Sequence, residues 1–357
     1  MHLETTFPDA RGGAARRAGL ADALSRIVDL ALERGVDVLT VGGDLYESER
    51  AGPQTFRFLA GEFARFGKPV FDAPGNHDPH GPNSLLARDD VPANVRVFDE
   101  AAWRAYPLAE GVTLWGFGHT PAEPGRPFAG ARFDRGGVQI ALVHGSDEQR
   151  CPPNKRATAP FAVGEIVAAG ATLALAGHYH GGYVAKAGRK AALVYPGSPE
   201  PIKFGEGQAH GAALVSVEGG AASVELIPIA RTRALDRTCD LTGAEHERAV
   251  HARVERALDG LGRSDYVRLR LEGTLSDGSR LDRALIEQRF AEALGSLDVA
   301  DATRVYDYER LAREPTVRGH VVRDLLAAAR EGKPDAALAE EALRYALAAF
   351  DGADIAP

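Results

Sequence analysis

The chain has 357 residues, 45% hydrophobic and 26% charged, with 42 Lys and Arg against 50 Asp and Glu for a formal charge of −8. That is a core-forming composition, long enough for two domains, and it excludes a disordered tail, a collagen-like chain and a strongly basic nucleic-acid binder. Cys151 and Cys239 stand far apart without zinc-type spacing, no apolar run reaches the ~20 residues of a membrane span, and the first residues lack signal-peptide features. The expected setting is therefore a reduced cytoplasm without membrane contact. Arg outnumbers Lys 36 to 6, which a GC-rich genome produces without any functional reason.

Along the chain, apolar spacing predicts an amphipathic helix over Arg16–Arg34, through Leu20, Leu24, Ile27, Leu30 and Ala31. A β-branched run, Val36–Val41, follows and closes on Gly42-Gly43-Asp44. A second helix is expected over Thr55–Phe66, then a short strand, Pro69–Phe71, running into Ala73-Pro74-Gly75-Asn76-His77-Asp78. Further strands are expected at Val112–Phe117, Val138–Val143, Ala171–Ala176 and Ala191–Tyr195. Ala212–Val217 and Ala222–Ile229 flank Glu218-Gly219-Gly220 as a hairpin. Strands alternating with helices first, and hairpins later, point to an α/β sandwich.

Beyond Ile229 the character changes. Arg231–Thr238 reads as a polar connector. After it come a helix (Glu245–Leu261), a strand (Tyr266–Leu271), a turn at Ser276-Asp277-Gly278, a helix (Arg283–Leu294) and a strand (Asp298–Tyr306). Two final helices, Val317–Arg330 and Ala336–Phe350, are punctuated by Gly332-Lys333-Pro334. The expected division is a first domain over 1–230 and an accessory domain over 231–357.

The chemistry-bearing residues fall at strand ends. Asp44, Asn76-His77, His144 and His178-x-His180 each lie just past the end of an expected strand, and His2 lies at the start. In an α/β sheet the loops after the carboxyl ends of strands are where ligand sites assemble. Repeated His, Asp and Asn in those loops point to metal. His178 and His180 are i and i+2, so in an extended segment both rings face one way, ~6.6 Å apart along the chain. That reach suits two ions ~3.5–4 Å apart. A carboxylate such as Asp44 can bridge them, and Asn76 offers a neutral amide oxygen. Nitrogen and oxygen donors without thiolate fit Mn, Fe or Zn, and the donor set does not choose among them.

Gly43-Asp44-Leu45-Tyr46-Glu47, Gly75-Asn76-His77-Asp78, Val143-His144-Gly145 and Gly177-His178-Tyr179-His180 resemble the calcineurin-like metallophosphoesterases, over residues 1–230. Tyr195-Pro196-Gly197-Ser198-Pro199 with Glu200-Pro201 is similar to the bacterial DNA-repair exonuclease branch related to Mre11 and SbcD. Arg313–Gly319 more weakly resembles that branch's accessory domain. The resemblance implies a four-layered α/β/β/α sandwich with a smaller C-terminal α+β accessory domain. It implies two divalent ions, manganese first with iron or zinc as alternatives. His2 and His180 would hold one ion and Asn76, His144 and His178 the other, with Asp44 bridging. His77 would be no ligand but would face the scissile phosphate as general acid.

The implied activity is phosphodiester hydrolysis on DNA as a repair exonuclease. The alternatives are a phosphodiesterase acting on nucleotides and a catalytically impaired DNA-end scaffold. A coiled-coil ATPase of the Rad50/SbcC type is the implied partner, bound through C-terminal elements, and a homodimer is a further expectation. The family opens with an apolar strand running into Asp-x-His. Here His2-Leu3 matches the His and the residue after it, while the Asp position would precede Met1. The corresponding expectation is that in-frame sequence upstream of Met1 encodes a β-branched run ending in Asp.

The remaining histidines carry less. His80 reads as a solvated loop residue, His119 as a strand-end residue that lines the cleft or packs, and His210, His246, His251 and His320 as surface or capping residues. The apolar stripe Val317, Val321, Leu325, Ala328, Leu338, Leu343, Leu347 and Phe350 reads as intramolecular packing, with partner docking as the alternative.

Overall fold

A stripe of Leu20, Ala23, Leu24, Val28 and Ala31 buries one side of α1 (Gly13–Glu33), which ends at Gly35 in the left-handed region. A short strand β1 (Leu39–Val41) follows. Helix α2 (Pro53–Phe66) starts on Pro53, whose missing N–H costs nothing in the first turn, and stops at left-handed Gly67. Strands β2 (Val70–Asp72) and β3 (Val95–Val97) complete a three-stranded parallel sheet in the order β1-β2-β3. A computed structural model describes residues 1–7, 12–122, 124–275, 281–304, 306–330 and 336–352.

The second sheet has six strands. They are β4 (Arg104–Ala109), β5 (Val112–Phe117), β6 (Val138–His144), β7 (Leu173–Gly177), β8 (Tyr183–Ala187) and β9 (Lys190–Tyr195), in the order β4-β5-β6-β7-β9-β8. Its centre, β5-β6-β7-β9, is parallel, and antiparallel strands form both edges. All seven residues of β6 are buried, as a strand covered on both faces requires. Helix α3 (Val163–Ala168) lies in the connection between β6 and β7, and a hairpin β10 (Gly211–Glu218) and β11 (Ala221–Pro228) follows β9.

Three apolar clusters layer this part of the chain. α1 and α2 pack on the small sheet through Leu20, Leu24, Leu59, Phe63 and Val70. Phe71, Phe98, Leu114, Ile140 and Leu142 fill the space between the sheets. Phe128 and Phe133, from the connection between β5 and β6, and Phe161 and Ile166, from α3 and the loop before it, cover the outer face of the large sheet, and Trp103 packs there against Phe117, Phe128 and Phe133. The fold is thus the expected mixed α/β layering, with the fourth layer built largely of loop. A cavity of about 830 Å³ also runs beside β1, lined by Leu24, Leu39, Val41, Leu114, Ile140 and Leu142, and one end reaches His2, Asp44, His178 and His180.

The chain divides into two compact units, Met1–Leu235 with Ser264–Tyr266, and Asp236–Arg263 with Val267–Pro357. The segment read as a polar connector is instead part of a strand, β12 (Arg233–Asp240), which lies in a sheet ordered β12-β13-β14 with β13 (Asp265–Glu272) and β14 (Ser296–Asp301). Its charges at Arg233, Asp236, Arg237 and Asp240 hide it from a period-2 reading, and pairing at the sheet edge defines it. In the second unit, α4 (Glu247–Ala257) and α5 (Arg283–Phe290) pack through Val250, Val254 and Ile286 onto Val267, Leu269 and Val299.

Helices α6 (Tyr308–Ala312), α7 (Val317–Arg330) and α8 (Ala336–Phe350) gather around Tyr306, Leu311, Val322, Leu343 and Leu347. The apolar stripe therefore splits. Leu343 and Leu347 are buried with Leu325 against them, whereas Val317, Leu338 and Phe350 are exposed. The expected turn at 276–278 and the break at 332–334 lie outside the described residues. Among the described residues no helix is long and apolar enough to cross a membrane, and both cysteines are free thiols.

Candidate metal centre

Four loops leave parallel strands and meet: β1 runs into Gly42-Gly43-Asp44, β2 into Ala73–Asp78, β6 ends on His144, and β7 leads into His178. They approach too closely for side chains at the crossing. A Cβ on Gly177 would run into the Gly42 carbonyl oxygen, and one on Gly43, itself at φ 80°, would sit 2.6 Å from the Gly75 nitrogen. Asp44 and His178 take φ of 52° and 110°, the left-handed side where non-glycine residues are strained, a cost commonly concentrated at functional sites.

Asp78 ties two of these loops together. Its carboxylate accepts the backbone N–H of Asp44 (2.9 Å), Leu45 (2.6 Å) and Gly75 (2.7 Å). Burial and the Asp44 carboxylate push Asp78 up to about 6, and burial pushes its neighbour Asp72 well above the usual carboxylate range. His2 reaches the site because its backbone N–H donates to the Asp44 carbonyl and that of Leu3 to the Leu45 carbonyl (2.8 and 3.0 Å), which lays the first residues alongside the Asp44 loop.

The ring tautomers follow from what each Nδ1 touches. His144 Nδ1 lies 2.8 Å from the Gly42 carbonyl, which can only accept, so this nitrogen carries the proton and Nε2 is bare. Burial drives His144 down to about 3, keeping it neutral. That bare nitrogen faces Asn76 Oδ1 at 3.0 Å and Asp44 Oδ2 at 3.3 Å. Three acceptors crowd together with no proton among them. On the other side of Asp44, His2 donates from Nδ1 to Glu47 (2.8 Å) and His180 from Nδ1 to Glu206 (2.7 Å), which turns the two Nε2 atoms towards each other at 3.2 Å. His2 Nε2 is 3.6 Å from Asp44 Oδ2.

Converging lone pairs repel unless a cation lies among them. Donors about 2.1 Å from one ion stand about 3–3.5 Å from one another, the spacing found here. Imidazole rings whose second nitrogen is held by a carboxylate or carbonyl are also the usual form of histidine ligands. The residues present thus fit divalent ions. Among the described residues, two groups have donor atoms all within 4.8 Å of one another, His2–Asp44–His77 and Asp44–His144–His178, and Asp44 belongs to both.

The sequence-predicted residues therefore come together around Asp44. His178 joins His144, with burial lowering it to about 4, and His180 joins His2. The segment between them bends at His178 rather than running extended, and this sends the two rings to opposite sides of Asp44. Burial opposes ionisation of Asp44, yet the surrounding imidazoles, His144 first, hold its carboxyl below the usual range.

His77 differs from the rest. Its side chain is 43% exposed, its backbone N–H donates to Asp44 Oδ1 (2.8 Å), and its Nδ1 is 2.7 Å from Glu47, a contact that raises its affinity for a proton. Glu47 thus serves His2 and His77 at once; burial would raise its carboxyl, but these two hydrogen bonds bring it down to about 2.

Several contributors were invisible in the sequence. Glu206 is 26 residues from the ring it orients, and no periodicity links them; its other oxygen accepts the backbone N–H of Ile202 and Lys203 (2.8 and 3.1 Å). Glu47 was legible only as part of the motif around Asp44. His119 is buried behind the site, donating from Nε2 to the His144 carbonyl (2.8 Å), and does not line the cleft. His210 is no surface residue either: it is buried and bonds Ser198 (2.9 Å) and the Glu206 carbonyl (3.2 Å), closing the Ser198–His210 loop. His246 caps α4 as expected of a capping residue, accepting from the Ala249 N–H.

Residues 1–182 match the family described as calcineurin-like phosphoesterase. No curated protein matches the chain. Among solved structures, TT1561 of Thermus thermophilus is similar at 14% identity over 58% of this chain and 94% of its own, with a TM-score of 0.39. A likeness of that degree carries no argument for function.

Proposed function

The chain belongs to the calcineurin-like phosphoesterase family, whose members hydrolyse phosphoesters with divalent metal ions, and on that premise we propose that it is a dinuclear phosphodiesterase acting on DNA as a repair exonuclease. The observation that carries the hydrolytic reading is the crowding of bare His144 Nε2, Asn76 Oδ1 and Asp44 Oδ2, which a cation would relieve. In this reading His2 and His180 hold one ion, Asn76, His144 and His178 the other, and Asp44 both. Divalent ions so held, manganese first, supply positive charge against a phosphoryl oxygen and raise the acidity of water. In this reading His77, beside His2 and Asp44 on an exposed edge with its ring steadied by Glu47, is not a ligand but donates a proton to the leaving oxygen.

DNA is favoured over a small diester by the segment Tyr195–Pro201. Its Ser198 donates its N–H to the His180 carbonyl (2.8 Å) and meets His210 through its hydroxyl (2.9 Å), so the stretch that resembles the repair-nuclease branch also braces the candidate centre. A coiled-coil ATPase partner belongs to the same reading, supported by the exposed Val317 and Leu338 of α7 and α8. The test is hydrolysis of linear DNA and of bis(p-nitrophenyl) phosphate with manganese, before and after chelation. Metal-dependent cleavage of both is expected. Cleavage of the small diester alone would leave hydrolysis standing and remove DNA.

A further inference from the structure

Arg150 lies in the connection between β6 and α3, which leaves the large sheet at the same carboxyl edge as His144. Its guanidinium sits 4.2 Å over the ring of Tyr183 and 5.8 Å from that of Tyr179. The Tyr179 ring is in turn 5.3 Å from that of His178. One aromatic ring therefore separates this cation from a candidate metal ligand. The loop is pinned: Tyr179 Oη donates to the Asp147 carbonyl (2.9 Å), the Asp147 N–H donates to Tyr195 Oη (3.0 Å), and Tyr195 Oη donates to the Gly145 carbonyl (2.8 Å).

Glu148 is held in a fork by Arg126 (2.7 and 3.0 Å), while the buried Asp147 carboxylate accepts the Gln149 N–H (3.1 Å) and feels the charge of Arg150 without forming an ion pair with it. Among the described residues Arg150 makes no ion pair, nor does exposed Lys155 on the same loop. A guanidinium lying over an aromatic face keeps its edge donors free for a planar, two-pronged grip on oxyanions. In a chain of net charge −8, an unpaired guanidinium one aromatic ring from a candidate metal ligand stands out.

We propose that Arg150 binds a second phosphate of the substrate, on the same strand as the scissile one and a few nucleotides from it. Successive phosphates of one strand advance about 3.4 Å along a duplex axis, so a flanking phosphate reaches a cation one ring beyond the metal ligands. The inference rests on the nucleic-acid reading above and narrows it: the substrate carries several phosphodiesters, and the site grips more than the bond it breaks.

The experiment compares the full-length protein with Arg150→Ala and Arg150→Lys on three substrates: bis(p-nitrophenyl) phosphate, a thymidine dinucleoside monophosphate, and a ten-nucleotide oligothymidylate. Arg150→Ala should raise KM for the decamer about 10-fold more than for the dinucleoside, as expected for loss of a charge-assisted hydrogen bond. Decamer binding measured in a His77→Ala background should lose about 0.7 from the slope of log affinity against log salt. Arg150→Lys should keep that slope and bind more weakly than wild type.

Equal effects of Arg150→Ala on dinucleoside and decamer, or an unchanged salt slope, would reduce Arg150 to a packing residue and overturn the inference. A wild-type protein that hydrolyses bis(p-nitrophenyl) phosphate but not the decamer would overturn the nucleic-acid reading itself, a different outcome seen before any variant is made.

Discussion

The two sides of Asp44 are held by different means. On one side His144 is fully buried, and the proton on its Nδ1 is fixed by the carbonyl of Gly42, a group of the backbone that no substitution removes. On the other side His2 and His180 are oriented by carboxylates, Glu47 and Glu206, which side-chain changes can delete one at a time. A backbone carbonyl at a strand end is as rigid as the sheet. A glutamate must lose rotamer freedom to serve, and it is only as well placed as the loop behind it. The His144 side is therefore the preorganised one, and the His2–His180 side is the one open to tuning.

The largest expected effect comes from removing what both sides share. Asp44→Ala should release metal from both positions and lower kcat/KM by ~10³-fold or more, since bound metal supplies several kcal/mol of charge stabilisation. Metal content by plasma mass spectrometry alongside turnover decides the matter; one ion retained at full occupancy would mean that the sides do not share Asp44.

His77→Ala should lower turnover ~10²–10⁴-fold, the range for loss of a general acid, with metal content nearly intact. An emptied centre would place His77 among the ligands, with His2 and Asp44.

Glu206→Gln tests the asymmetry directly. It should weaken one of two metal-binding events by ~10–100-fold and leave the other as it was. Calorimetric titration of metal into the apoprotein resolves the two, and equal weakening of both would break the comparison.

The smallest effect is expected behind the rigid side. His119→Leu leaves the buried His144 carbonyl without its donor and should cost about 1–3 kcal/mol of stability in a denaturant melt. Because Gly42 holds Nδ1 of His144 independently, both metals should stay bound. Metal loss would show that the backbone hold is less autonomous than the Gly42 contact implies.

Much of this centre was readable because its residues come in local packets. Gly-Asp, Gly-Asn-His-Asp and Gly-His-x-His each follow an apolar run of strand length, and glycine is needed where the loops cross with no room for a Cβ, as at Gly43 and Gly177. Strands with unbroken apolar sequence, such as Val138–Val143, were legible for the same local reason. β4, β8 and β12 were not read as strands. In β4 all residues but Ala105 and Leu108 are exposed and the register shifts after Pro107, and Tyr183–Ala187 and Arg233–Asp240 carry charges among their apolar positions, so edge pairing rather than sequence pattern defines them.

The sequence by itself determined the layered α/β class, the strand-end positions of His144, Asp44, Asn76, His77, His178 and His180, and the membership in a metal-dependent phosphoesterase family. These depend on spacing within a few residues, which the chain writes out directly. Only the tertiary structure decided which nitrogen of each ring is bare, that Glu47 serves two histidines, that Glu206 and His210 brace the site from a distant loop, and that His178 and His180 part to opposite sides of Asp44. The physical reason is that a tautomer and a lone-pair direction are set by the partner that a ring meets in space. For His180 that partner is 26 residues away and for His144 it is 102, separations over which sequence carries no geometric signal.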